Sequence, residues 1–216
     1  MQRSVLGMGL GLAALLTATA ASATIMEATY TGVADAGLID DGGFFGAPGA
    51  DLSGDAFTLS FVYDTTIGVS NSSGENALAG GEAIGTPNPT SKATLTIGGV
   101  SASFTPDFFS GVSSSATQFS NAFGAGNTEV IAFFNGAGQH DLTDSFSVTG
   151  SCASCAFIDL SGPVLPDTIG VLDVSSLSVS PFAAGVPEPD AWALMILGFG
   201  SAGAMLRSRR LGLAAV

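Results

Sequence analysis

From Phe57 to Tyr63 the chain alternates strictly: Phe57, Leu59, Phe61 and Tyr63 are separated by Thr58, Ser60 and Val62. A period of two places the four large side chains on one face of an extended strand. A second alternation runs Ala93-Thr94-Leu95-Thr96-Ile97, breaks at Gly98-Gly99, and resumes as Val100-Ser101-Ala102-Ser103-Phe104. Two glycines between alternating runs supply the positive φ angles of a primed hairpin turn, pairing Ile97 with Val100, Leu95 with Ala102 and Ala93 with Phe104. Further strands are predicted near residues 27–33, 129–134, 144–148, 156–160 and 174–180, between clusters of Gly, Pro, Asn and Asp. Residues 64–91, rich in Gly, Ser and Asn, read as a long loop. No interior segment has a 3.6-residue period. The expectation is one all-β domain of seven or more short antiparallel strands, a β-sandwich or jelly-roll-like fold.

The two ends carry different patterns. Arg3, the apolar run from Val5 to Leu16 and the small-x-small Ala21-Ser22-Ala23 form a signal peptide, residues 1–23, with signal peptidase cutting before Thr24. Gly7-x-Gly9-x-Gly11 lies inside that segment and is no phosphate loop. At the other end, Pro187 and Pro189 keep the backbone extended and open to a processing enzyme. From Ala191 to Leu206 there is no charge, and Gly198, Gly200 and Gly203 permit close helix contact, so residues 191–206 read as a short single transmembrane helix. Trp192 suits the membrane interface, while Arg207, Arg209 and Arg210 form a basic cluster that holds its end in the cytoplasm. The exported β-rich domain is then residues 24–185.

Pro187, Glu188, Pro189, Trp192 and Ala193, with Gly198-Phe199-Gly200 and the arginines, resemble the PEP-CTERM sorting signal of Gram-negative bacteria, in its Pro-Glu-Pro-x-x-Trp-Ala variant, over residues 186–210. Leu194 departs from the methionine common there, and Leu211 to Val216 extend past the usual basic end. The resemblance implies recognition by an exosortase and cleavage near the Pro-Glu-Pro. It implies passage through an inner-membrane intermediate to the cell surface, outer envelope or extracellular matrix, where exopolysaccharide is a partner. Chains with this tag are also labelled by an ice-binding C-terminal region, a name for the tag alone. Phe44 to Asp55 resembles a segment found in many proteins bearing it.

The net charge of −13 sharpens the picture of the domain. Four of the five basic residues lie in the end segments, leaving Lys92 as its only strong base against sixteen of the eighteen acids. Such a surface repels phosphate, so nucleic acid is excluded as a partner. His140 is the only histidine and serves a triad or metal site poorly; beside Asp141, it reads as a surface residue in a turn. No Gly-x-Ser-x-Gly elbow occurs. Cys152 and Cys155, in an exported chain, are expected to form a local disulfide tightening the turn before the strand at 156. Asp40-Asp41-Gly42-Gly43 and the pair Asp51 and Asp55 are the nearest approach to a Ca²⁺ site, and neither has the motif; no cofactor is expected. Asn71-Ser72-Ser73 matches a glycosylation triplet of little weight here.

Three functions follow. The first is a non-enzymatic surface or matrix protein associated with exopolysaccharide. The second is a carbohydrate-binding module, or after it an ice-binding one, for which Thr94 and Thr96 beside Lys92 give a hydroxyl face two positions long. The third is a secreted glycoside hydrolase using Asp carboxylates.

Overall fold

The computed structural model describes residues 25–70, 76–161 and 167–183. The signal peptide, the Pro-Glu-Pro segment, the apolar run 191–206, the arginine cluster and Asn71 to Ser73 therefore lie outside the described residues. The chain divides into two units, Met1–Pro181 and Phe182–Val216, and nearly all the described residues belong to the first.

Among the described residues every regular element is a strand. In chain order they are β1 (Ile25–Ala34), β2 (Ile39–Asp40), β3 (Ala50–Asp51), β4 (Ala56–Asp64), β5 (Val69–Ser70), β6 (Asn76–Gly80) and β7 (Thr90–Ile97). There follow β8 (Val100–Phe104), β9 (Phe109–Ser114), β10 (Gln118–Ala125), β11 (Thr128–Asn135), β12 (Phe146–Leu160) and β13 (Thr168–Pro181). Apart from the small β2–β3 pair they join one antiparallel sheet in the order β5-β6-β9-β10-β11-β12-β13-β1-β4-β7-β8. The all-β antiparallel expectation holds. The sandwich or jelly-roll expectation is refined: the layers are one hydrogen-bonded sheet curled on itself.

Side chains show how far it curls. Phe61 on β4 meets Phe123 on β10 edge-on at 6.2 Å, and Phe104 on β8 lies 5.8 Å from the same ring. β4 and β10 are separated in the ladder by β11, β12, β13 and β1, so these contacts require the sheet to fold back across a shared core. The Thr90 amide on β7 donates to Ser110 Oγ on β9 at 3.1 Å, tying the two halves at one margin. Register shifts at Thr31/Gly32, at Val62/Tyr63 and twice in β12 are bulges, which bend and twist the strands that carry them.

The alternating residues fill the interior. Phe57, Leu59, Phe61 and Tyr63 are all buried, as are Ala93, Leu95 and Ile97. The predicted hairpin has the predicted register, with φ of +57° at Gly98 and +86° at Gly99. On the β8 side its apolar face lies at a sheet edge, and Val100 stays 46% exposed.

Two expectations are corrected, and two further strands lacked a sequence signal. Residues 64–91 hold β5, β6 and an isolated bridge between Gly81 and Thr86, so this is not one long loop. β6 has little apolar alternation of its own and is placed by its ladder with β9, from Asn76↔Ser114 to Gly80↔Ser110. The strands expected at 144–148 and 156–160 are one 15-residue strand, β12, and with the 14-residue β13 it is far from short. Finally, β9 and β10 were unread because their inward faces include Ser110, Ser114 and Asn121.

Candidate functional site

The segment from Asp40 to Asp55 folds around a single carboxylate. Asp40 is fully buried; its oxygens accept the Phe44 amide at 2.9 Å, the Phe45 amide at 2.7 Å and the Thr168 hydroxyl at 3.0 Å. Its backbone carbonyl accepts the amides of Gly43 and Gly49. Both carboxylate oxygens thus serve the loop itself, and Asp40 holds structure together instead of presenting an ion site. Asp51 is exposed and points elsewhere; the Ser53 hydroxyl first, and its amide second, hold the Asp51 carboxyl below the ordinary carboxylate value. Among the described residues no three His, Cys, Asp or Glu side chains converge as a metal site.

Cys152 and Cys155 are joined, with Cα atoms 5.5 Å apart. They lie in the double bulge of β12, at the register shifts between Thr149, Cys152 and Ala156, and not in a turn between two strands. Ser154 between them takes φ +53°, its amide held by Asp173 Oδ1 at 2.7 Å. Thiol titration of the unfolded, unreduced chain should find no free thiol. Replacing both cysteines by alanine should cost at most about 2 kcal/mol in a denaturant titration, because the loop they close is so short.

His140 is half-buried, which corrects its reading as a surface residue. Its ring stacks on Phe146 at 3.8 Å and its Nε2 lies 2.9 Å from the Ala137 carbonyl. Its amide donates to Ser114 Oγ and its carbonyl accepts from Asn76. These contacts pin the turn to β6 and β9.

The outward faces of the sheet are of two kinds. On the half formed by β1, β4, β7 and β8, flanked by β13 and β12, the ladder aligns Thr149, Ser176, Thr31, Thr58, Thr96 and Ser101 in one row. The row beside it is Ser147, Ser178, Thr29, Ser60, Thr94 and Ser103. Neighbouring hydroxyls pair within these rows, Thr31 with Ser176 at 2.7 Å, Thr94 with Ser103 at 3.1 Å and Thr96 with Ser101 at 2.8 Å. Thr94 and Thr96 are therefore members of rows six strands wide, not a face two positions long.

On the other half, a row crosses β9 to β13 as Phe109, Gly124, Glu129, Asp159 and Ile169. Phe108, 53% exposed, reaches over Gly124, where an added Cβ would come within 4.0 Å of its ring. Phe108, Phe109, Gly124, Asn127, Glu129 and Asp159 line an open groove of about 320 Å³. Sequence reasoning missed it because two of its strands were unread and its two acids stand far apart in the chain. Only the register of β11 on β12 sets Glu129 beside Asp159.

Residues 185–210 match the family model described as the PEP-CTERM protein-sorting motif. No curated protein and no solved structure matches the chain. The matched stretch takes in the Pro187-Glu188-Pro189 triplet, Trp192, Ala193, the uncharged run and all three arginines. The chain carries a PEP-CTERM protein-sorting motif, which marks it as an exported, membrane-transiting protein handled by exosortase-type sorting machinery.

Proposed function

We propose that residues 24–185 are a non-enzymatic, cofactor-free passenger that is delivered to the cell surface or matrix and retained there with exopolysaccharide. Signal peptidase removes residues 1–23, the apolar run 191–206 holds the intermediate in the inner membrane, and an exosortase cuts near Pro187-Glu188-Pro189. The sorting motif at 185–210 carries this reading. The acidic surface, with Lys92 its one strong base, suits a soluble extracellular domain.

In the producing cells, mass spectrometry should recover a chain beginning at Thr24 and lacking the arginine cluster, co-fractionating with matrix polysaccharide. In cells without exosortase the arginine cluster should remain and the chain should stay in the membrane fraction. Intact full-length chain in the cytosol of normal cells would refute the reading.

The second reading, a carbohydrate-binding module, is favoured by the hydroxyl rows. Each hydroxyl has one donor and two acceptor positions, so the paired ones retain capacity for a hydrated ligand. Adjacent strands rotate by roughly 20–25°, so six strands fan the rows out. A flexible chain can follow that surface, whereas a rigid ice plane cannot match it across the sheet. A hydrolase would need to release reducing ends from the exopolysaccharide, and none are expected.

A further inference from the structure

We propose that the groove between Phe108 and the Glu129–Asp159 pair binds a neutral saccharide unit of the exopolysaccharide, an inference that rests on the matrix reading above and gives it a contact site.

The aromatic side is presented rigidly. The Phe108 amide is held by Asp107 Oδ1 at 2.6 Å and lies 3.2 Å from the Gly124 carbonyl, while the Phe108 carbonyl accepts the Ala83 amide at 3.0 Å. Asp107 is fixed in turn: its carbonyl accepts the Glu82 amide and the Asn88 side chain, and its carboxylate accepts the Gly126 amide. A backbone clamped from three neighbouring segments carries a phenyl ring more than half exposed to water. Little further ordering is required for that ring to serve as a platform.

Gly124 provides the space. It lies on the outward face between Phe109 and Glu129, and its missing side chain leaves a gap between an aromatic wall and an acidic one. The acidic wall is costly in itself, because like charges directly opposite on neighbouring strands repel. Lys92, the domain's one strong base, is on β7 and pairs in register with Val62, not with this wall. Ser161 Oγ donates to Asp159 Oδ1 at 3.2 Å, and a carboxylate has acceptor positions beyond that one.

A pyranose fits both walls. Its C–H face packs on a phenyl ring, and its hydroxyls donate charge-assisted hydrogen bonds to carboxylates. The paired negative charges exclude acidic sugars and phosphates. A calcium ion is less well served, since it takes six to eight oxygens and one wall of this groove is phenyl.

The test uses the full chain in a detergent without a sugar headgroup, with exopolysaccharide from the producing cells split by anion exchange into neutral and acidic fractions. Calorimetry should show binding to the neutral fraction. Phe108→Ala, Gly124→Leu and the double variant Glu129→Gln/Asp159→Asn should each weaken it at least tenfold. The double variant should melt no lower than wild type, because it removes a repulsion, which separates a binding role from a structural one. The site is refuted if the variants bind as wild type does, if wild type binds the acidic fraction equally or neither fraction, or if calcium chloride raises the melting temperature through Glu129 and Asp159. If wild type and groove variants alike are recovered with the matrix, the site alone fails. If wild type is released to the medium, the matrix reading itself fails.

Discussion

Replacing Asp40 with alanine is expected to destabilise the domain by about 3–5 kcal/mol, because buried donors lose a charged acceptor and nothing takes its place. The carboxylate is fully buried and accepts two amides and a hydroxyl within 3.0 Å. Without it, the buried Phe45 amide and the part-buried Phe44 amide lose their acceptor, and Thr168, whose Oγ1 also accepts the Gly42 amide at 2.9 Å, loses its orientation. The damage spreads from the loop to the start of β13. For a domain of this size the loss corresponds to a melting temperature lower by roughly 10 °C or more. Asp40→Asn keeps one acceptor oxygen and should fall between the two. The control is in the same segment: Asp51 is exposed and its acceptor duty is local to Ser53, so Asp51→Ala should melt close to wild type. Urea unfolding of the variants decides the matter, and equal effects at positions 40 and 51 would contradict the role assigned to Asp40.

What could be read in advance depended on how local the signal was. The sorting motif is legible because the Pro-Glu-Pro triplet, an uncharged apolar run and the arginine cluster are written in consecutive residues. The β7–β8 hairpin is legible because its turn residues fix register without reference to the rest of the fold. β9 and β10 escaped because their buried positions include serine and asparagine, whose hydrogen-bond partners are distant in the chain, Tyr30 for Asn121 Oδ1 and Thr90 for Ser110. β12 was divided because its double bulge carries small and polar residues that resemble a turn. The hydroxyl rows and the Phe108 groove are cross-strand objects. The rows depend on the register of six strands and the groove on that of four, which no single segment encodes.

Raising the pH to about 12 should unfold the domain cooperatively, and the cause is its tyrosines. Tyr30 and Tyr63 are the only two in the chain and both are fully buried. The Tyr30 hydroxyl donates to Asn121 Oδ1 at 2.9 Å and the Tyr63 hydroxyl to the Leu142 carbonyl at 3.1 Å. Burial pushes Tyr30 well above its ordinary value, with a smaller contribution from charge on Tyr63, and burial likewise pushes Tyr63 far up. A folded-state value raised above the unfolded one means that stability is fully present below about pH 10 and is lost as pH rises from there toward the folded value. Each tyrosine then costs about 1.4 kcal/mol per pH unit, so the pair costs about 3 kcal/mol at pH 11 and twice that at pH 12. That is comparable with the whole stability of an ordinary domain, about 5–15 kcal/mol. Other basic groups cannot supply the effect, since Lys92 is the only strong base between the end segments. Phenolate absorbance should therefore stay flat past pH 10 and rise in one step, together with loss of the β-sheet circular dichroism signal. Tyr30→Phe should halve the pH dependence of the melting temperature above pH 10 while lowering stability at neutral pH through the lost bond to Asn121. Two phenolates titrating near pH 10 with the sheet intact would show that neither ring is buried as described.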